Sequence, residues 1–341
     1  MTRDVRVVIT CAAVRTTARI LFVLLALPAI AWAATALWID GPTSRPFAGA
    51  LAGALVLGSA AALVAWRWRG AIAVTLAFAA VLYWWLSLEP RLDRDWAPEY
   101  AELPHAEFRG DLVTIRNLRN FVYRSETDFD PHWETRTVDV AKLNGVDLAF
   151  STWGPPNIAH TVMSFQFAEG PPLVFSIETR RERTETYSAI RGFFRQYELY
   201  YVVADERDVL KLRTNFRGER VRLYRLRTPI PRVRRMLLSY LEELNALAER
   251  PRWYNALLHN CTTSIRVHTS AAGAPMPWHW ELIANGHLDE LLYRQGVIQN
   301  KIPFAELRER SDITERGKRA DDDPAWSALV REGLPERPPP P

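Results

Sequence analysis

Three apolar runs fill the first ninety residues of this chain, and they constrain its fold more than any other feature. The first is ARILFVLLALPAIAWAATALWI, Ala18 to Ile39; the second runs from Phe47 to Trp66, and the third from Ala71 to Leu88. Each is close to the ~20 residues that an α-helix needs to cross the hydrocarbon core of a bilayer. A cleaved signal peptide is the alternative for the first run, but its apolar length and the two runs that follow speak against it. Pro28 is tolerable inside a span, because neighbouring helices can satisfy the carbonyl it frees.

Arginines set the expected orientation. Arg3, Arg6 and Arg15 precede the first run and Arg19 stands at its start, and Arg67 and Arg69 occupy the turn between the second and third. The intervening loop, DGPTSRP, carries only Arg45 and one aspartate. Cytoplasmic loops collect arginine and lysine, so the N-terminus and the Arg67 turn are predicted to lie inside. Trp38, Trp66, Trp68, Tyr83, Trp84 and Trp85 stand at or near span ends, where amphipathic rings prefer the interface. Three spans put everything after Leu88 outside. In a Gram-negative cell this predicts a multi-pass protein of the inner (cytoplasmic) membrane with a periplasmic C-terminal domain.

The expected domains are a three-helix membrane anchor (1–88), a polar proline-bearing linker (89–110), an outer catalytic domain (111–313) and a charged, extended or peripheral tail (314–341) ending in PERPPPP. The net charge of +4 is modest and arginines alternate with acids, so no nucleic-acid interface is expected. Two cysteines, Cys11 and Cys261, build no disulfide framework, and no C-x-x-C pair suggests zinc. The seven histidines are dispersed; no metal and no cofactor is expected.

In the outer domain DLVTIRNLRNFVYR and TRTVDVAKL read as strands around the acidic turn SETDFDPH. GVDLAFSTW and IAHTVMSFQF follow, then the turn AEGPP and the strand LVFSIETRRE. LYYVVADE and VRLYRLR are further strands; all are rich in β-branched and aromatic residues. SAIRGFFRQ reads as a short helix and PIPRVRRMLLSYLEELNALAER as a long one, with apolar residues at three-to-four spacing. NCTTSIRVHTSAAG is a shorter helix stopped at Gly273. The expected class is α+β, an antiparallel sheet with packed helices late in the chain, preceded by three transmembrane helices.

Cys261 stands in the stretch HNCTT. Asn260 is a favoured N-cap, which makes Cys261 the first residue of its helix. Free amides and the helix dipole stabilise a thiolate there. An inert buried thiol is the alternative. A nucleophilic cysteine needs a base within hydrogen-bond reach and a third group to orient that base. His259 is expected on the surface and His268 too far along the helix axis. His105, His132, His279 and His287 lie in polar stretches and read as surface residues. His160 is different, because it sits inside an apolar strand. If the AEGPP turn centres on Glu169, His160 lies directly opposite Glu178, and a two-residue slip still leaves them diagonal neighbours on one face. A carboxylate there would fix the imidazole tautomer; an ordinary ion pair of Glu178 with Arg180 or Arg181 is the alternative.

The run from NLRNFVYRSETDFDPHWETRTVD through IAHTVMSFQF, SIETRRE, YSAIRGFFRQYELYYVVADERD and RPRWYNALLHNCTT resembles the Lnb N-terminal periplasmic domain, over roughly Leu112 to Ile313. That family is typified by a bacterial lipoprotein N-acyltransferase. The NC helix start after a histidine strand is also similar to circularly permuted papain-like proteins, including lecithin:retinol acyltransferase. The resemblance implies that Cys261 accepts the acyl group and that His160 is its base; Glu178 is added on the hairpin geometry alone.

Two enzyme readings follow. In the first, a membrane-tethered acyltransferase takes an acyl group from a phospholipid onto Cys261 as a thioester and passes it to an amine, such as a lipoprotein N-terminus. Arg191 and Arg195 would hold a head group or simply face solvent. In the second, a cell-wall amidase or peptidase uses the same pair for hydrolysis. A third class, a non-catalytic interaction module, would need Cys261 buried far from His160.

Overall fold

A computed structural model describes residues 3–41, 44–65 and 67–340 of the chain, and the side chains of these except for residues 3–13 and 67. Trp66 lies outside the described residues, as do the side chains of Arg3, Arg6, Cys11 and Arg67. The chain divides into two compact units, Met1–Pro90 with Ile190–Gln196, and Arg91–Ala189 with Tyr197–Pro341.

The first unit is built on helices α1 (Arg3–Asp40), α2 (Arg45–Ala65) and α3 (Arg67–Leu86). All three are long and apolar enough to cross a membrane. α1 continues through Pro28. Small side chains line the contacts between helices: Ala33, Ala36, Ala48, Ser59 and Ala62 are buried while most large apolar residues point outward. This is the packing expected in lipid, where helices associate through close backbone approach rather than hydrophobic exclusion. Gly70 shows the closeness, since a Cβ there would collide with the Ala62 carbonyl. The segment Ile190–Gln196 carries only a short 3-10 turn, Arg191–Phe193, in place of the expected helix. Asp40 accepts from the Trp85 indole at 2.7 Å and from the Arg195 amide at 3.1 Å. The Arg195 guanidinium donates to the carbonyls of Leu86 and Leu88 and lies over the Trp85 ring, so it is engaged by backbone and not a solvated side chain.

The second unit centres on an eight-stranded sheet. Its strands are β1 (His105–Arg109), β2 (Leu112–Arg119), β5 (Trp133–Asp139), β6 (Leu143–Thr152), β7 (His160–Phe167), β8 (Leu173–Arg180), β9 (Glu198–Asp205) and β10 (Arg220–Arg225); β3 (Val122–Tyr123) and β4 (Phe129–Asp130) form a separate ribbon. The order is β1-β2-β9-β8-β7-β6-β10, with β5 also paired to β2. The sheet is mixed, which corrects the antiparallel expectation: β2 meets β9 in parallel at Arg119 and Ala204. Hairpin turns dictate antiparallel neighbours, but β2 and β9 are joined by the whole β3–β8 excursion, and a long connection leaves direction open.

Both faces of the sheet are covered, so every residue of β9 is buried. On one face Met163, Phe165, Phe175 and Tyr201 pack against the stripe Val233, Met236, Leu237, Tyr240, Leu241 and Leu244 of α4 (Ile230–Glu249). α5 (Cys261–Ala271) and α6 (Leu288–Arg294) complete that layer. On the other face Val162, Val174, Val202 and Ala204 meet Val209 and Leu210 of a π-helical stretch, Arg207–Phe216, together with C-terminal residues. That C-terminal stretch is folded rather than extended. Beyond α7 (Phe304–Arg310) come α8 (Thr314–Ala320) and α9 (Trp326–Leu329), and Trp326 is fully buried with its indole donating to the Gly317 carbonyl. Arg331 pairs with the buried Asp147 and Glu206, and Arg337 pairs with Asp147. The polar stretch before the domain is partly folded too, since β1 joins the sheet and Trp96 bridges to Glu182.

Candidate functional site

The site begins at the first turn of α5. Asn260 has extended backbone and its side-chain oxygen accepts from the amides of Thr262 and Thr263, both at 2.9 Å. The Thr263 hydroxyl accepts in return from the Asn260 amide at 2.9 Å, closing a reciprocal cap. Cys261 is therefore the first helical residue, at the positive end of the helix dipole. Its thiol is free and buried.

The β7–β8 hairpin supplies the facing groups. Val162 pairs with Ser176 and Phe165 with Leu173, and the same register carried two residues further sets His160 opposite Glu178. The link between them is indirect. His160 Nε2 lies 2.7 Å from the Ser176 hydroxyl, which donates to Glu178 Oε1 at 2.8 Å, while the direct separation from Nε2 to that oxygen is 3.9 Å. Glu178 pairs with neither Arg180 nor Arg181. Arg213 Nη2 donates to it at 3.1 Å and the Tyr100 hydroxyl reaches it at 3.4 Å. Burial alone would push this carboxyl up, but Arg213, Arg119 and His160 hold it well below the usual carboxylate range, so it stays ionised.

His160 and Thr161 act on the Cys261 thiol and favour its thiolate. The Thr161 hydroxyl is buried without a hydrogen-bond partner. Burial pushes the thiol up; the charge of His160, with Thr161 beside it, outweighs this and brings the thiol from 9.0 down to about 6. A neighbouring imidazole does this by stabilising the thiolate, and the thiolate is the nucleophile.

Asn285 joins the two halves. Its carboxamide accepts from the Ala159 amide at 2.8 Å, donates to the Ala159 carbonyl at 2.7 Å and to the Thr262 hydroxyl at 2.8 Å, and approaches the Cys261 sulfur at 3.9 Å. Neither Asn285 nor Ser176 is evident from sequence reasoning. Ser176 could have been found, since it sits two residues before Glu178 on the same strand face. Asn285 has no local signal; it follows the 3-10 turn Trp280–Leu282 in a polar stretch.

The other histidines near the cysteine do other work. His268 is buried, stacked on Tyr240, and bonded to the Tyr201 and Ser239 hydroxyls at 2.9 Å each. His259 is exposed, and His287 bonds the Asn157 side chain at 2.8 Å. Trp253 forms a bridge to Glu198. Beside His160 opens a cavity of about 390 Å³ lined by Trp153, Tyr187 and Tyr254 and by Arg181, Arg213, Arg217, Glu126 and Glu219. A larger hollow of about 730 Å³ around Arg136, Asp205 and Ala328 contains neither cysteine nor histidine. Among the described residues no cluster of His, Cys, Asp or Glu could hold a metal ion.

Residues 129–286 match the family model of the Lnb N-terminal periplasmic domain. The match spans His160, Ser176, Glu178, Cys261 and Asn285. With the three apolar helices it suggests a membrane protein with a periplasmic domain and an enzyme of the Lnb type. Curated proteins and solved structures give no match to the chain.

Proposed function

We propose that this chain is a multi-pass protein of the cytoplasmic membrane whose periplasmic domain transfers an acyl group through a thioester on Cys261. One observation carries the reading: a buried cysteine at a capped helix start, its thiol lowered by the charge of a histidine that is coupled through Ser176 to an ionised glutamate. The chain order, histidine strand before cysteine helix, is what a circular permutation of a papain-like fold would produce.

In the first half-reaction the Cys261 thiolate attacks an ester carbonyl, and a C–S bond forms while charge gathers on the carbonyl oxygen. The amide of Cys261, at the positive end of the α5 dipole, is the group that would stabilise that oxyanion. The ester C–O bond then breaks and the departing alkoxide takes the proton from the His160 imidazolium. In the second half-reaction an amine attacks the thioester, a C–N bond forms and the C–S bond breaks. His160 removes the amine proton and the thiolate returns. Glu178 stabilises the imidazolium through Ser176 and is not itself protonated. A phospholipid is the proposed donor, and a lipoprotein N-terminus or another amine the acceptor.

The cavity beside His160 favours one other reading. Its arginines and glutamates suit a polar substrate, as a cell-wall amidase or peptidase with water as second acceptor would need. Intact-mass measurement of the full-length protein from membranes, with and without neutral hydroxylamine, separates the two. A fatty-acyl adduct on Cys261 that hydroxylamine removes, and that is missing in Cys261→Ser and His160→Ala, supports the acyltransferase. A reactive thiol with no adduct, together with cleavage of cell-wall peptide, would replace it with the hydrolase.

A further inference from the structure

We propose that Ile158, Leu257, Leu258, Trp278, Trp280 and Ile283 form a rim around the site that docks into the bilayer interface. These six side chains stand on three separate loops and are all well exposed, from 44% at Leu257 to 64% at Ile283. The loops converge. Asn285 ties Ala159 to Thr262, the Gly286 amide donates to the Asn157 carbonyl at 3.0 Å, and His287 bonds the Asn157 side chain. Each rim residue lies within seven positions along the chain from that knot, and the knot adjoins Cys261 and His160. Single exposed leucines are ordinary on a soluble surface, but large apolar side chains gathered on three loops tied together beside one site are not.

The chain itself argues for lipid as the occupant. Three of its helices are long and apolar enough to span a membrane. The stretch from Ser87 to Pro90, between α3 and the outer unit, reaches about 15 Å when fully extended. Tryptophan is enriched at the interface depth of bilayers. Arg266 lies 4.7 Å from the Trp278 ring, a cation placed to meet anionic head groups. With the rim inserted, an acyl chain passes from the bilayer to Cys261 without crossing water. That consequence rests on the acyl-transfer reading; the docking does not.

The test uses the full-length chain with Cys11→Ser and Cys261→Ser in vesicles of phosphatidylethanolamine and phosphatidylglycerol. A single cysteine replaces Leu258 or Ile283 and carries a nitrobenzoxadiazole label. Glu169→Cys is the control, at the opposite end of the β7–β8 hairpin, about 25 Å along the strand. Labels at 258 and 283 are expected to be quenched by shallow doxyl lipids and shielded from aqueous iodide, with the reverse at 169. Labels at 258 and 283 as open to iodide as at 169 would overturn the proposal. Shielding from both quenchers would also overturn it, pointing to a protein partner or a second copy. A second arm uses Trp280→Gln with Ile283→Gln in the otherwise native chain. Acylation of Cys261 by vesicle lipid should slow about tenfold, while acylation by a water-soluble short-chain thioester is unchanged. Equal loss with both donors would overturn the delivery role. Should the native chain be acylated by neither donor, the acyl-transfer reading fails, and the labels still decide docking.

Discussion

The carboxamide of Asn285 hydrogen-bonds both backbone groups of Ala159, accepting at 2.8 Å and donating at 2.7 Å, in the manner of a strand neighbour. Ala159 immediately precedes His160, and the same carboxamide nitrogen donates to the hydroxyl of Thr262, the residue after Cys261. One buried side chain thereby sets the distance between base and nucleophile.

Asn285→Ala should leave the buried Ala159 amide and carbonyl unpaired, at about 1–3 kcal/mol for each group left without a partner. Because His160 and Cys261 lose their common tether, the thiol should rise from about 6 towards 9.0 and acylation should slow roughly 10- to 100-fold. Asn285→Asp keeps the acceptor and loses the donors, so it should recover only part of the loss. Thermal melting and the pH profile of iodoacetamide labelling separate folding from positioning. A variant with unchanged labelling kinetics would show that Asn285 positions nothing.

Alkylation of Cys261 should switch on as pH rises through about 6 and not through 9.0. In His160→Ala the charge that stabilises the thiolate is gone and burial remains, so the midpoint should move up by more than one pH unit. Iodoacetamide rates across pH, read by mass spectrometry, give both midpoints. Equal midpoints would remove His160 from the site.

Ser176→Ala should cut the link from His160 to Glu178 and leave the fold intact, since Arg213 and Tyr100 still hold the carboxylate. A loss of about tenfold or more in acylation, with a normal melting temperature, is expected. Glu178→Gln is a different lesion. It leaves the buried Arg213 without this carboxylate, and losing one partner of a buried ion pair costs about 3–5 kcal/mol. Melting curves should separate the two variants even where both are slow.

His268 should make the protein acid-sensitive. Burial, and then the charge of Arg252, lower it from 6.5 to about 3. Between those values the unfolded chain binds a proton that the folded chain does not, so stability falls as pH drops below 6.5, by at most about 1.4 kcal/mol per unit. Glu178 adds its own loss only further down, because its folded value is depressed below that of a free carboxyl. His268→Gln keeps a polar group between Tyr201 and Ser239 and should flatten the decline between about pH 7 and pH 5. An unchanged slope in detergent-solubilised melting scans would rule the histidine out.

Much of this molecule is legible before folding. The three apolar helices follow from length and composition alone, because spanning a bilayer is a demand on consecutive residues. The start of α5 at Cys261 is equally local: Asn260 and Thr263 satisfy each other's backbone within one turn. The register that sets His160 opposite Glu178 needs only the centre of the turn between β7 and β8, since a hairpin transmits its turn along both strands.

What the tertiary structure alone decided lies at long range. No local rule names Arg213 as the partner of Glu178, pairs β2 in parallel with β9, or folds Trp326 and Arg331 of the charged C-terminus onto the sheet. Nor does alternation foretell the meeting of His160 with Cys261. Parity puts His160 on the face of Val162 and Val174, while Cys261 packs with Met163 on the other. His160 is the first residue of β7, so at that end the strand no longer separates the faces and the imidazole can reach the thiol. The apolar runs, the cap and the hairpin were readable because their hydrogen bonds and burial close within a few residues. The site was not, because its geometry depends on which distant segments pack against one another.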